Sequence, residues 1–200
     1  MSKNIFFISD HHLGHESILT FKNKDGSPVR LFNNIDDMHN FIIEEHNKVV
    51  SKHDKVYFLG DVAIKKDALP ILNKMNGKKR LILGNHDIFN DRKQLKVNSQ
   101  IVYINEYYQY FEEVLAYKVF PDNFICSHIP LSKKSITERF CFNVHGHLHN
   151  NIVIDNNGFE DPSYFNVSCE RLNFKPIEFS ELNLILNSEF RSIEFQRRQI

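Results

Sequence analysis

An apolar run, Leu81-Ile82-Leu83, stops at Gly84 and is followed at once by Asn85-His86-Asp87. Such a run reads as a buried strand whose backbone turns sharply at its end, where glycine accepts dihedrals that other residues resist. Asn85 and His86 then stand at the strand's carboxyl tip, the place where open α/β sheets bind ligands and carry chemistry. An Asn carbonyl oxygen coordinates hard or borderline cations, and a neighbouring His can hand a proton to a leaving group. Taken alone, Asn-His-Asp after a glycine is equally an ordinary polar turn. Recurrence of the same arrangement elsewhere separates the two readings.

The recurrence is there. Asn4 to Ser9 is a short apolar strand that delivers Asp10-His11-His12, with His15 in the same loop as a substrate contact. Lys55 to Gly60 ends in Asp61, Asn123 to Ser127 ends in His128, and Phe140 to Val144 delivers His145-Gly146-His147-Leu148-His149. In an extended tip residues i and i+2 face the same way, so Asp10 and His12 converge while His11 points elsewhere, and His147 and His149 share a side. Asp10, His12, Asp61, Asn85, His128, His147 and His149 form an oxygen and nitrogen donor set without thiolates, which argues against a structural zinc knot. Seven donors exceed what one cation needs, whereas two cations sharing a bridging carboxylate would use them.

Between the tips the pattern is βαβ, which favours parallel strands with their tips on one side. Asn34 or Asp36 caps a helix reaching about Val50 with the apolar face Met38, Phe41, Ile42 and Val49. Asp67 caps a helix from Ala68 to Asn76, and Gly77 ends it. Asp25-Gly26-Ser27-Pro28 is a turn linking two short strands. Glu113 to Phe120 and Asn123 to Ser127 form a strand pair around Pro121-Asp122. Ile152 to Ile154 and Tyr164 to Val167 are further strands, with Asn156-Asn157-Gly158 a turn between them, and Ser180 caps a final helix. Residues 88 to 122 carry the weakest pattern; Tyr103, Tyr107, Tyr108 and Tyr110 suit half-buried sheet packing better than base stacking.

Composition excludes several classes of function. Lys plus Arg and Asp plus Glu are both 25, so no global field recruits duplex nucleic acid or an anionic membrane. No apolar run approaches the roughly 18 residues of a membrane span, and a soluble, cytoplasmic protein is expected. Residues 1-200 suit a single domain. Cys126, Cys141 and Cys169 show no C-x-x-C spacing, and Cys126 and Cys141 lie in apolar runs, as reduced core thiols do.

The order D-x-H, GD, GNHD, H, GHxH resembles the calcineurin-like metallophosphoesterase superfamily, most of all its small single-domain bacterial and phage phosphoesterases, from Phe6 to about Ile177. The resemblance implies an α/β fold, a four-layer α/β/β/α sandwich of two mixed sheets flanked by helices, with a two-metal site at the strand tips. It implies that Asp10, His12 and His149 hold one metal, that Asn85, His128 and His147 hold the other, and that Asp61 bridges them. His86 matches the proton donor, and Asp87 would orient it. The implied reaction is in-line attack on phosphorus by a metal-bridging hydroxide, with Mn fitting the donors and Fe, Zn or Ni possible alternatives.

Gly60-Asp61 is followed by Val62-Ala63-Ile64-Lys65-Lys66 and lacks the D-R-G continuation of the protein Ser/Thr phosphatases. Lys65-Lys66 and Lys133-Lys134, which follow strand tips, are then the site-side cations, with Lys65 and Lys133 as substrate contacts. Lys78-Lys79-Arg80 precedes a strand and reads as a solvated patch on the opposite face. The expected substrate is a small phosphodiester or nucleotide-derived ester. A phosphomonoester is the near alternative, and a non-catalytic binding scaffold the distant one.

Overall fold

The computed structural model describes residues 3–88, 109–137 and 140–197. In chain order its elements are β1 (Ile5–Ile8), a 3-10 helix (Glu16–Thr20), α1 (Ile35–Val49), β2 (Lys55–Phe58), a second 3-10 helix (Lys66–Lys74), β3 (Lys78–Ile82), α2 (Asn85–Ile88), β4 (Glu113–Leu115), β5 (Lys118–Phe120), β6 (Phe124–Cys126), α3 (Lys133–Thr137), β7 (Phe142–His145), β8 (Tyr164–Asn166), β9 (Ile177–Glu178) and α4 (Phe179–Arg197). One sheet has the order β4-β3-β2-β1-β9 and the other β5-β6-β7-β8. β1 to β4 are parallel with β9 antiparallel at the edge; β6 to β8 are parallel with β5 antiparallel. Both sheets are therefore mixed, and their parallel strands set the tips that carry the site.

The period of two sorts each strand's side chains between two cores. Phe6 and Ile8 of β1, Val56 and Phe58 of β2 and Leu81 of β3 pack with Met38 and Ile42 of α1 and with Leu69 and Leu72 of the second 3-10 helix. Phe7, Tyr57, Leu59 and Ile82 turn the other way, onto Phe124, Cys126, Phe142 and Val144 of the second sheet, where α4 adds Leu182 and Leu186. The result is the expected α/β/β/α sandwich. Its middle layer is aromatic: Phe7 meets Phe120 at 5.3 Å and Phe124 at 6.0 Å edge-on, while Phe120 and Phe124 stack at 4.7 Å.

Several local expectations are corrected. Glu113 to Phe120 is not one strand: β4 pairs with β3 in the first sheet, and β5 pairs with β6 in the second. The chain crosses between sheets at Ala116-Tyr117, where Tyr117 is exposed. The hairpin around Pro121-Asp122 does form, through Phe120 and Phe124. Asp67 lies inside the first turn of its helix, whose N-cap is Lys65 without a side-chain cap, and the helix is 3-10 with Pro70 inside it. Proline has no N–H to give and crowds the preceding turn, which disfavours regular α-helical bonding there. Asn34, not Asp36, caps α1, accepting from the Asp37 N–H at 2.8 Å. The last helix begins at Phe179, so Ser180 falls within it. Ile152 to Ile154 shrinks to a bridge between Ile154 and Glu160.

The basic run Lys78-Lys79-Arg80 does not precede the strand but forms the first part of β3, and it is only partly solvated. Lys79 Nζ donates to the Met75 and Gly77 carbonyls at 2.6 and 3.2 Å. Arg80 lies over the Tyr57 ring and pairs with Glu113 at 3.0 Å. Tyr103, Tyr107 and Tyr108 lie outside the described residues. No described helix is long and apolar enough to cross a membrane, and the three cysteines are unpaired.

Candidate functional site

The tips of β1, β2, β3, β6 and β7 converge, and a parallel bridge from Ser9 to Ser168 ties the end of the first sheet to the end of the second. Two groups of possible metal ligands result. Asp10, His12 and His149 form one, and Asp61, His128 and His147 form the other, with the donor atoms inside each group all within 4.8 Å of one another. Asn85 joins the second group, its Oδ1 lying 3.0 Å from His128 Nε2. Asp61 Oδ2 lies between the groups: it is 3.3 Å from His128 Nε2 and 3.8 Å from His12 Nε2.

Hydrogen bonds to the outer ring nitrogens fix which nitrogen faces inward. His128 Nδ1 lies 2.7 Å from the Leu59 carbonyl, which can only accept, so Nδ1 carries the hydrogen and Nε2 faces Asp61. His149 Nδ1 donates to Glu170 Oε1 at 2.9 Å, leaving its Nε2 free. His12 Nδ1 meets His15 Nδ1 at 3.2 Å.

Asp10 Oδ1 and His12 Nε2 are buried and have no hydrogen-bond partner among the described residues. Buried polar atoms are almost always satisfied. A carboxylate oxygen and an imidazole nitrogen left bare at one point fit a divalent cation. The other Asp10 oxygen is saturated, accepting from Ser9 Oγ at 2.6 Å, Ser168 Oγ at 2.9 Å and the His147 N–H at 2.9 Å. Without a metal, His128 behaves as a cation. Burial pushes its pKa down, but the Asp61 hydrogen bond and the Asp10 and Asp61 charges outweigh that and raise it to about 9. A proton then sits between the oxygens that would face a metal, so loading should release it.

The backbone that presents these groups is not the extended tip assumed above. Asp10, His12, Asp61, His147 and His149 all have positive φ, between 51° and 70°. Left-handed backbone, rather than pleat alternation, aims the side chains, and it divides His147 and His149 between the two groups instead of placing them together. Such residues cost about 1 kcal/mol or more each and persist where the surroundings over-determine them. Here the tips remain paired: Asp10 N–H donates to Gly60 O and His12 N–H to Asp61 O, both at 3.0 Å. Two glycines make the close approach possible. A β-carbon on Gly84 would lie 2.2 Å from Asp61 Oδ1, and one on Gly146 would lie 2.5 Å from Asp10 Oδ2.

Asp87 does not orient His86. Its carboxylate is buried and spent on the main chain, accepting from the Gly84 and Asp61 N–H groups at 2.8 Å each and from Val62 N–H at 2.9 Å. Burial and the nearby Asp61 charge raise its pKa to about 6 despite those donors. It therefore holds the β2 and β3 tips together. The His86 N–H donates to Asp61 Oδ1 at 2.8 Å, while its side chain is 47% exposed with Nε2 3.9 Å from Asp61 Oδ2.

Two residues of the site were not singled out from the sequence. Arg30 is buried and donates to Glu170 Oε1 at 2.8 Å, to the His11 carbonyl at 2.7 Å and to the Asp10 carbonyl. Glu170, whose side chain is 2% exposed, also receives His149 Nδ1. Burial would raise the Glu170 pKa, but Arg30 and His149 bring it down to about 2. Glu170 follows β8 as Asp10 follows β1, so the strand-tip argument applied to Tyr164 to Val167 could have found it.

Of the residues expected to contact substrate, His15 stands beside His12, with ring centroids 5.3 Å apart. Lys65 is exposed and pairs with Glu16 at 3.1 Å. Lys133 is a correction, because its ammonium is taken by Asp161 at 2.5 and 2.7 Å and by Ser163 Oγ at 2.6 Å.

Comparison with known proteins bears on the family and the fold. The family model described as calcineurin-like phosphoesterase matches residues 3–179. The uncharacterized protein MJ1445 of Methanocaldococcus jannaschii is 32% identical over 182 residues, covering 88% of this chain and 86% of that protein. The crystal structure of AQ665, a protein of unknown function from Aquifex aeolicus, shares the fold with a TM-score of 0.64 at 24% identity, over 92% of this chain and 100% of that one.

Proposed function

The chain belongs to the calcineurin-like phosphoesterase family, and from that premise we propose that it is a two-cation phosphoesterase acting on a small phosphodiester or nucleotide-derived substrate. The observation that carries this reading is Asp61 Oδ2, placed within 3.8 Å of a ligand nitrogen from each group. Asp10, His12 and His149 would hold one cation, Asn85, His128 and His147 the other, and Asp61 would face both. When bound, two divalent cations supply an acidified water and neutralise charge on the phosphoryl oxygens. The donors are oxygen and imidazole nitrogen without sulfur, which suits Mn and is compatible with Fe, Zn or Ni.

The chain's own groups perform the remaining tasks. Leu59 O and Glu170 hold His128 and His149 by their outer nitrogens, so each ring presents Nε2 in a fixed direction. His86 is anchored by its backbone on Asp61 while its ring stays half in solvent, a position from which it can protonate a departing alkoxide. A diester is favoured over a monoester on charge. A monoester dianion is matched best by a bidentate guanidinium at the phosphoryl group, and Arg30, which reaches the Asp10 carbonyl, is engaged by Glu170 and two carbonyls.

The deciding experiment is His86→Ala on two substrates. A nitrophenolate leaves without a proton, whereas an alkoxide needs one. The variant should lose about 10²- to 10⁴-fold in rate on an alkyl or nucleotide diester, far less on bis-p-nitrophenyl phosphate, and should keep its metal content. Equal losses on both would make His86 a stabiliser of phosphoryl charge instead. Loss of metal would make it a ligand.

A further inference from the structure

The metal-ligand groups account for the phosphorus end of a substrate, and the organic part of the ester needs a place beside them. A cavity of about 360 Å³ lies between the segment Phe21 to Val29 and the loop after β7. Phe21, Lys22, Lys24 and Val29 line one side, and His149 and Asn151 the other. His149 is thus a wall of this cavity and a member of the first ligand group at once, so the cavity adjoins that group through one shared residue. Its volume lies in the range of small-molecule sites.

The walls are built rather than draped. Phe21 to Val29 is a small hairpin, closed by the Lys22–Pro28 bridge and by Val29 N–H donating to Phe21 O at 2.8 Å. Asn150 Nδ2 donates to Asn23 Oδ1 at 3.1 Å, tying the hairpin to the opposite loop. Phe21 is 45% exposed, so one face of its ring is open to a ligand. It is held edge-on to His15 at 5.5 Å, and His15 bonds His12. Lys22 and Lys24 are exposed and make no ion pair among the described residues. The one acid in the turn, Asp25, directs its carboxylate onto Ser27. Asn151 spends its amide N–H on the Leu148 carbonyl, leaving its side-chain oxygen without a partner among the described residues.

A flat apolar face, two free ammonium groups and one free amide oxygen beside a phosphoryl site are complementary to one ligand chemistry. We propose that this cavity receives the nucleoside part of a nucleotide substrate, with the base on Phe21, its N–H edge on Asn151, and a further phosphate near Lys22 and Lys24. This rests on the phosphoesterase reading given above. A base has a π-face to stack and N–H donors to offer, which a simple alkyl or sugar phosphate lacks.

The test uses two diesters with the same leaving group, thymidine 5′-(p-nitrophenyl phosphate) and methyl p-nitrophenyl phosphate, on the metal-reconstituted protein. The wild type should prefer the nucleoside ester in kcat/KM. Phe21→Ala should reduce that preference about tenfold or more, and Phe21→Tyr, which keeps the ring, should restore it. Independently of turnover, calorimetry on the metal-free protein should show AMP binding weakened by Phe21→Ala. ADP binding should be weakened more than AMP binding by the Lys22→Ala/Lys24→Ala double variant. An unchanged preference and unchanged AMP binding in Phe21→Ala would overturn the cavity assignment while leaving the phosphoesterase reading standing. Hydrolysis of neither ester by the wild type would overturn that reading itself, and the AMP titration would then judge the cavity alone.

Discussion

The two halves of the candidate metal site are held up in different ways. Behind Asp10, His12 and His149 stand side chains: Arg30 pairs with Glu170, and Glu170 receives His149, across a sequence separation of 140 residues between Arg30 and Glu170. Behind Asp61, His128 and His147 stands the main chain, with the Leu59 carbonyl on His128, the His86 N–H on Asp61, and Asp87 spread over three backbone N–H groups. The first half depends on a buried ion pair that one substitution can break. The second depends on strand-tip backbone that most side-chain changes leave in place, with Asp87 the exception.

The largest expected effect removes what the halves share. Asp61→Ala should lower turnover by about 10³-fold or more, since charge stabilisation by metals is worth several kcal/mol, and metal content should fall below two per chain. Retention of two metals by elemental analysis would show that the halves are independent and that Asp61 does not join them.

Glu170→Ala comes next and should act on the first half only. Loss of a carboxylate behind a metal-binding His typically lowers affinity 10- to 100-fold. Leaving Arg30 buried and unpaired should cost about 3–5 kcal/mol in stability. Replacing both, as Arg30→Met with Glu170→Leu, should recover part of the stability in urea unfolding, because the His11 and Asp10 carbonyls lose their donor, but not the affinity. If the double variant also binds metal normally, Glu170 acts only through packing.

Asp87→Asn is a smaller perturbation of the second half. An amide accepts on one oxygen and presents hydrogens where backbone N–H groups already point, so about 1–3 kcal/mol of stability should be lost. Metal affinity at the first half should not change. A selective loss of His128-side metal without loss of stability would mean that Asp87 supports the ligands more directly than its hydrogen bonds indicate.

The smallest effect separates the halves by pH in the metal-free protein. Glu170 is lowered from 4.5 to about 2, so its contribution is complete above 4.5 and disappears as pH falls through about 2. Asp87 is raised from 3.8 to about 6, so its contribution is complete below 3.8 and is lost as pH rises through about 6. The stability deficit of Glu170→Ala should therefore narrow toward acid, and that of Asp87→Asn should narrow toward neutrality. Parallel profiles from urea titrations would remove the distinction.

The strand tips were legible because each joins a short apolar run to a polar residue with donor chemistry, a signal confined to a few neighbouring positions. Asp10, Asp61 and His128 were placed that way, and the parallel sheets followed from the helices between them. What was not legible is long-range or conformational. Arg30 meets Glu170 only after folding; Glu170 could be placed by the strand tip before it, but Arg30, a charged residue in a polar loop, has no local signal. Glu113 to Phe120 carries one continuous β pattern, and nothing in its period says that its halves join different sheets. Asp87 was given the wrong partner because the turn brings its carboxylate to three N–H groups that a linear reading cannot see.

The five left-handed residues make this site a test of whether selection on it has lapsed. Glycine would relieve the backbone at Asp10, His12, Asp61, His147 and His149, so drift freed from any demand for ligands would find more stable chains by discarding them. A chain that still holds Asp or His at all five positions has not taken that route. The same property complicates any alanine scan here: alanine removes the donor yet keeps a β-carbon where φ is positive, so loss of ligand and persistence of strain arrive together. Pairing each alanine variant with glycine at the same position separates the two, and the glycine variant should melt higher of the pair while binding metal no better.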